Sequence, residues 1–192
     1  MNKKILGVFV SLLAVVMLAT PLVACVSAKP VVWSVEFSLT TLPDLLGDWS
    51  KFKMVETKSG PILVDHIPTI GEVELGIDDG VDDPYLMTGV VTQMVLTSKL
   101  YLNDDPARVM GNEKWVFTFA DAEASTLEVS ANFWIDDMFA IEPNGGGTCV
   151  GTYGTGVFEG AKFKGTFDTI MIPQPGGGIL KTQYGSGEIK FP

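Results

Sequence analysis

Gly154 to Phe167 reads GTGVFEGAKFKGTF: three glycines surround one phenylalanine, and then polar and apolar residues alternate. Gly154, Gly156 and Gly160 share the parity of Phe158, so a large ring can fill the room they leave. Glycines at such positions let strands bend sharply and pass closely over one another. Past Gly160, Phe163, Phe167 and Met171 hold one face, while Lys162, Lys164 and Asp168 hold the other. A period of two marks a half-buried β-strand. The stretch reads as a tightly turned hairpin in a sheet that closes on itself.

The same period governs the chain from Val31 onward. VVWSVEFSL sets Val31, Trp33, Val35, Phe37 and Leu39 opposite Ser34, Glu36 and Ser38. EVELGI aligns Val73, Leu75 and Ile77; KWVFTF aligns Trp115, Phe117 and Phe119; STLEVSANF aligns Leu127, Val129, Ala131 and Phe133. Leu86 to Leu102 is apolar on both parities, which predicts one long central strand kinked at Gly89 or two strands meeting at a bend. Turn chemistry separates these runs at KSGP (58–61), DDGVDDP (78–84), NDDP (103–106), EPNGGG (142–147) and PQPGGG (173–178). TTLPDLLGDWSKF (40–52) holds a helical turn at most. Spaced strands without intervening helices predict an all-β antiparallel sandwich or barrel, in a single domain over residues 29–192.

The glycine pattern resembles the G-x-G-x-F-x-G-A-x-G signature of the allene oxide cyclase and dirigent barrels. It is carried by Gly154, Gly156, Phe158, Gly160 and Ala161, with Gly165 slightly later than the last glycine of that signature. The resemblance covers about 20 residues and implies an antiparallel, closed eight-stranded barrel of calycin-like architecture with an apolar interior. YGSGEIKFP (184–192) fits a closing strand. The family's catalytic residues have no counterpart in this stretch, so none is carried over. A shorter motif, GDW (Gly47–Trp49), is similar to the lipocalin G-x-W, but a strand already precedes it and Trp49 reads as a packing aromatic.

At the N-terminus, Lys3 and Lys4 precede an apolar run from Ile5 to Leu18, then Pro21 and the small-residue stretch VSA. That layout is a secretory signal peptide, residues 1–28. The run is shorter than the ~20 residues a spanning helix needs, so no transmembrane span is expected in the mature chain. Cleavage after Ala28 would begin the mature protein at Lys29. LVAC (Leu22–Cys25) also resembles a bacterial lipobox, which would make Cys25 an acylated first residue at the cell surface. Either route places the protein outside the cytoplasm. Loss of Lys3 and Lys4 takes the formal charge from −10 to −12. So acidic a chain repels phosphate backbones, which argues against nucleic acid and anionic membranes as partners. Cys149 is then the single mature cysteine, and about 160 residues must be held together by a core rather than by disulfides.

Candidate sites are few. His66 is the only histidine and lacks a nucleophile elbow, so it reads as a loop or strand-end residue. Cys149 has nothing basic beside it and reads as a small buried hydrophobe. Asp78, Asp79, Asp82 and Asp83 around Gly80 make an oxygen-rich loop of the kind calcium prefers, without EF-hand spacing; a solvated turn is the simpler reading, and no metal or other cofactor is assigned. Glu36, Glu72, Glu74, Glu128, Glu159, Asp168 and Glu188 fall on expected strands, and most of them share the polar face with Ser, Thr and Lys. PNGGGT and PGGG lack a following lysine and read as hairpin loops, not phosphate cradles. Trp33, Phe37, Trp115, Phe117, Phe119 and Phe133 are expected to line the interior, as core first and as an apolar pocket second. The expectation is a non-enzymatic secreted or surface-attached barrel, structural or binding a small hydrophobic ligand. Its rivals are a cyclase-type enzyme and an envelope module acting through its acidic outer face. Self-association is left open.

Overall fold

The computed structural model describes residues 31–57, 61–174 and 179–192. The segment 1–28 expected to be a signal peptide, with Cys25, and residues 58–60 and 175–178 of the expected turns lie outside them. The strands are β1 (Val32–Pro43), β2 (Lys53–Glu56), β3 (Ile62–Asp78), β4 (Tyr85–Tyr101), β5 (Arg108–Phe119), β6 (Thr126–Ile135), β7 (Asn144–Gly154), β8 (Lys162–Pro173) and β9 (Ile179–Lys190). Among the described residues the only helical piece is a 3₁₀ turn, Gly156–Phe158.

Each strand pairs antiparallel with the next along the order β3-β4-β5-β6-β7-β8-β9-β1, and β1 pairs back onto β3. Eight strands therefore close into a barrel, and closure removes every free edge from its wall. β3 is longer than β1 and serves two partners. Its residues Thr69–Asp78 pair with β1, and Ile62–Asp65 pair with the short extra strand β2. Between them, His66 takes φ 59°, opposite the irregularity between Val95 and Thr97 of β4.

Alternation decides what fills the barrel. Val35, Phe37, Leu39, Val73, Leu75, Trp115, Phe117, Leu127 and Val129 point inward and are buried, as their common parity requires. An eight-stranded barrel is just wide enough for side chains to fill. The rings here do so in edge-on contact: Phe37 lies 6.0 Å from both Trp115 and Phe163, and Trp115 lies 5.1 Å from Phe167.

The opening stretch forms the β7–β8 hairpin. Gly156 and Gly160 adopt φ 58° and 72°, which a side chain would resist. Phe158 is fully buried, and a Cβ on Gly154 would stand 2.7 Å from the Phe158 Cβ. The ring takes the place that the glycine leaves.

Four sequence expectations need correction. EPNGGG is not a loop: Asn144–Gly147 begins β7, because Gly145 and Gly147 sit opposite bulky residues of β6 and β8 where strand backbones approach closely. β4 runs unbroken through Gly89, and its irregularity lies at Val95–Thr97. A Cβ on Gly89 would fall 2.2 Å from the Thr118 carbonyl oxygen, so that glycine serves close strand approach rather than a kink. β3 reaches ten residues further back than EVELGI, through a segment whose alternation Pro68 and His66 obscure. Glu159 lies in the turn after the 3₁₀ segment rather than on a strand.

Candidate functional site

Two polar constellations stand out, one inside the barrel and one on its outer wall. The inner one begins at Glu113 of β5. It shares the parity of Trp115, Phe117 and Phe119, so it points inward, and it is only 1% exposed. Burying a carboxylate is costly unless its charge and lone pairs are met. Here one cation meets the charge and both oxygens find donors. Lys181 of β9 places Nζ 2.7 Å from Oε1, Trp115 donates Nε1–H to Oε2 at 2.7 Å, and the Gln93 amide donates to Oε2 as well. The Gln93 carbonyl oxygen accepts from Thr69 Oγ1 at 2.8 Å and from Thr41 Oγ1 at 3.3 Å. Lys181 also lies 5.7 Å from the Phe133 ring centre. Gln183, also buried, donates to Thr169 Oγ1 at 3.4 Å, while its own carbonyl oxygen is without a partner among the described residues.

The outer constellation follows from register. On the outward parity, Trp134 of β6 is level with Gly146 of β7, Asp168 of β8, Tyr184 of β9, Ser38 of β1 and Glu74 of β3. The next outward row is Thr148, Thr166, Ser186 and Glu36. These rows floor two adjoining hollows of about 850 and 780 Å³ that share Glu36, Thr148, Thr166 and Ser186 and are walled on the β3–β4 side by Pro84. Trp134 and Tyr184 are 42% and 54% exposed, a large share for such rings. The indole of Trp134 lies over Gly146: a Cβ there would meet Cζ2 at 3.1 Å. Lys164 is paired with Glu188 at 3.0 Å, whereas Glu36, Glu74 and Asp168 have no ion-pair partner among the described residues.

The residues singled out from sequence are distributed as follows. Phe37, Trp115, Phe117, Phe119 and Phe133 are all inside and buried, each packed against other side chains of one core. Trp33 sits at the barrel end, partly buried, with its ring 5.0 Å from Phe191. In the acidic loop, Asp78 Oδ1 accepts from the Gly80 backbone N–H, and Asp79 Oδ1 accepts from those of Val81 and Asp82. These bonds hold the Asp79 carboxyl below the usual aspartate range. Among the described residues no group of three or more His, Cys, Asp or Glu is placed to hold a metal ion. Cys149 points inward from β7 and is buried, and desolvation pushes its thiol up to about 12. His66, expected at a loop or strand end, instead lies within β3 opposite the β4 irregularity, with Nδ1 buried and without a partner among the described residues.

Sequence reading missed Glu113, Gln93, Lys181 and Trp134. The first was legible in principle, since it continues the inward parity of KWVFTF by one more step. No helix in the described residues is long and apolar enough to cross a membrane. No protein-family model matches the chain, and no curated protein matches it in sequence.

Proposed function

We propose that this protein is a non-enzymatic binding module of the cell exterior that recognises its ligand on the outer wall of the barrel. The observation that supports this reading is the trough over β6–β9 and β1, where exposed aromatic rings flank unpaired carboxylates and rows of hydroxyls. Ligand sites combine apolar faces with a few convergent polar groups, and the outer wall offers that combination in reach of solvent. Inside, by contrast, Glu113 is buried and engaged by Lys181, Trp115 and Gln93, closed off from solvent. The signal-like N-terminus supports an extracytoplasmic setting, and the acidity of the chain argues against nucleic acid.

One observation favours an interior site, either for a hydrophobic ligand or for a cyclase-type reaction as the family resemblance implies. The Gln183 carbonyl oxygen is a buried acceptor with no donor among the described residues, in an interior that also holds the inward carboxylate of Glu113 among aromatic rings. Hydroxyl-radical footprinting separates the two readings. The protein is incubated with fractionated lipids and glycans of its host's envelope, and oxidation of each aromatic is followed by mass spectrometry. Protection of Trp134 and Tyr184 is the expected result. A co-purifying apolar molecule, with those two rings left fully reactive, would establish the interior site instead.

A further inference from the structure

We infer that the ligand of the outer-wall trough is a neutral oligosaccharide, held by stacking on Trp134 and Tyr184 and by hydrogen bonds to Asp168, Glu36 and the hydroxyl rows between them. The inference rests on the outer-wall reading above and names the chemistry that fits it. A pyranose has an apolar face of C–H groups and an equatorial rim of hydroxyls. The first needs an exposed aromatic plane, and the second needs acceptors and donors set close to that plane. Trp134 supplies such a plane, close over Gly146, which has no side chain to hold the indole off the wall. Asp168 is the next residue in the same cross-strand row, and an ionised carboxylate is acceptor-only, which suits paired sugar hydroxyls. Tyr184 follows Asp168 directly. Three strand spacings separate the backbones of Trp134 and Tyr184, and the indole reaches over the first of them. About two spacings, roughly 10 Å, therefore remain between its site and Tyr184, a span of about two sugar units rather than one.

Other classes fit less well. The unpaired carboxylates Glu36, Glu74 and Asp168 repel phosphate-bearing ligands. A floor of Thr148, Thr166 and Ser186 leaves hydroxyls unmatched beneath an apolar lipid chain. A peptide strand cannot add to this part of the wall, because closure has used every backbone edge there.

Isothermal titration of the mature protein with cellohexaose, mannohexaose and chitohexaose, alongside spermine as a cationic competitor, tests the proposal. At least one of the three hexasaccharides should bind, with quenching or enhancement of indole emission. Trp134→Ala should weaken that binding by about tenfold or more, and Asp168→Asn should weaken it as well. Tyr153→Ala, an exposed ring at the opposite end of β7 from Gly146, should leave it unchanged. All three side chains lie at the surface, so circular dichroism should show each variant folded. Absence of binding by all three sugars overturns the saccharide assignment. So does salt-sensitive binding of spermine that is independent of Trp134. If the footprint on Trp134 and Tyr184 persists with another envelope fraction, the outer-wall reading survives that failure. If the footprint is also lost, both fall together.

Discussion

At the scale of one residue, Cys149 shows how burial sets chemistry. It alternates inward on β7, and its thiol is 2% exposed and meets no cation that would favour the thiolate. Its reactivity is therefore suppressed where it matters, since the thiolate is the nucleophile. At pH 8 the native protein should react with iodoacetamide far more slowly than the urea-unfolded chain, as read by mass shift against time. Equal rates would place the thiol at the surface. The same shift has a stability consequence. The folded thiol titrates at about 12 and an ordinary one at 9.0, so the neutral form is favoured by folding. That stabilisation is complete below pH 9 and is lost as pH rises towards 12. Cys149→Ala should flatten this part of the pH dependence of the melting temperature.

At the scale of one element, β7 carries the lesson of the glycines. Gly147 pairs with Phe133 on one side and Phe167 on the other, and both rings point into the barrel. A Cβ at Gly147 would lie 2.2 Å from the Asn132 carbonyl oxygen and 2.2 Å from a Phe167 ring carbon. The backbone has no room to retreat, so Gly147→Ala should cost about 3 kcal/mol in denaturant unfolding. Gly76→Ala is the control: its Cβ meets nothing closer than the Glu36 carbonyl oxygen at 3.8 Å, and its effect should stay within about 0.5 kcal/mol. A mild effect at Gly147 would mean that the β7 wall is looser than described. Read as sequence, three consecutive glycines signal a loop. Only the neighbouring rings turn them into a strand, by occupying the volume that side chains would need.

At the scale of the whole molecule, the Glu113 network ties five strands together. Thr41, Thr69, Gln93, Glu113 and Lys181 come from β1, β3, β4, β5 and β9, and each is satisfied by another member. Removing one charge strands the other. Lys181→Met should destabilise the barrel by about 3–5 kcal/mol by leaving Glu113 buried and unpaired. Adding Glu113→Gln should recover much of that loss, because the neutral amide oxygen still accepts from Trp115 and Gln93 while the charge is gone. Chemical denaturation of the two variants measures it, and a double variant no more stable than the single would deny the coupling.

Much of the fold was legible in the chain because alternation is a local property. Val35, Phe37, Trp115, Phe117, Val129 and Phe167 each announce their strand and their face within a few residues, and the glycine-flanked Phe158 announces a hairpin. So the sequence by itself determined an all-β chain, its main strands and its core aromatics. Register across the sheet is not local. Trp134 and Tyr184 stand fifty residues apart, and Lys181 and Glu113 are 68 apart. Their meeting depends on which strand lies beside which and on the pairing of β1 back onto β3. The closed eight-stranded barrel agrees with the expectation drawn from the glycine hairpin and its family resemblance. The register of the strands, the neutralised carboxylate inside and the aromatic trough outside were decided by tertiary structure alone, because each is made of contacts between strands whose order no local pattern encodes.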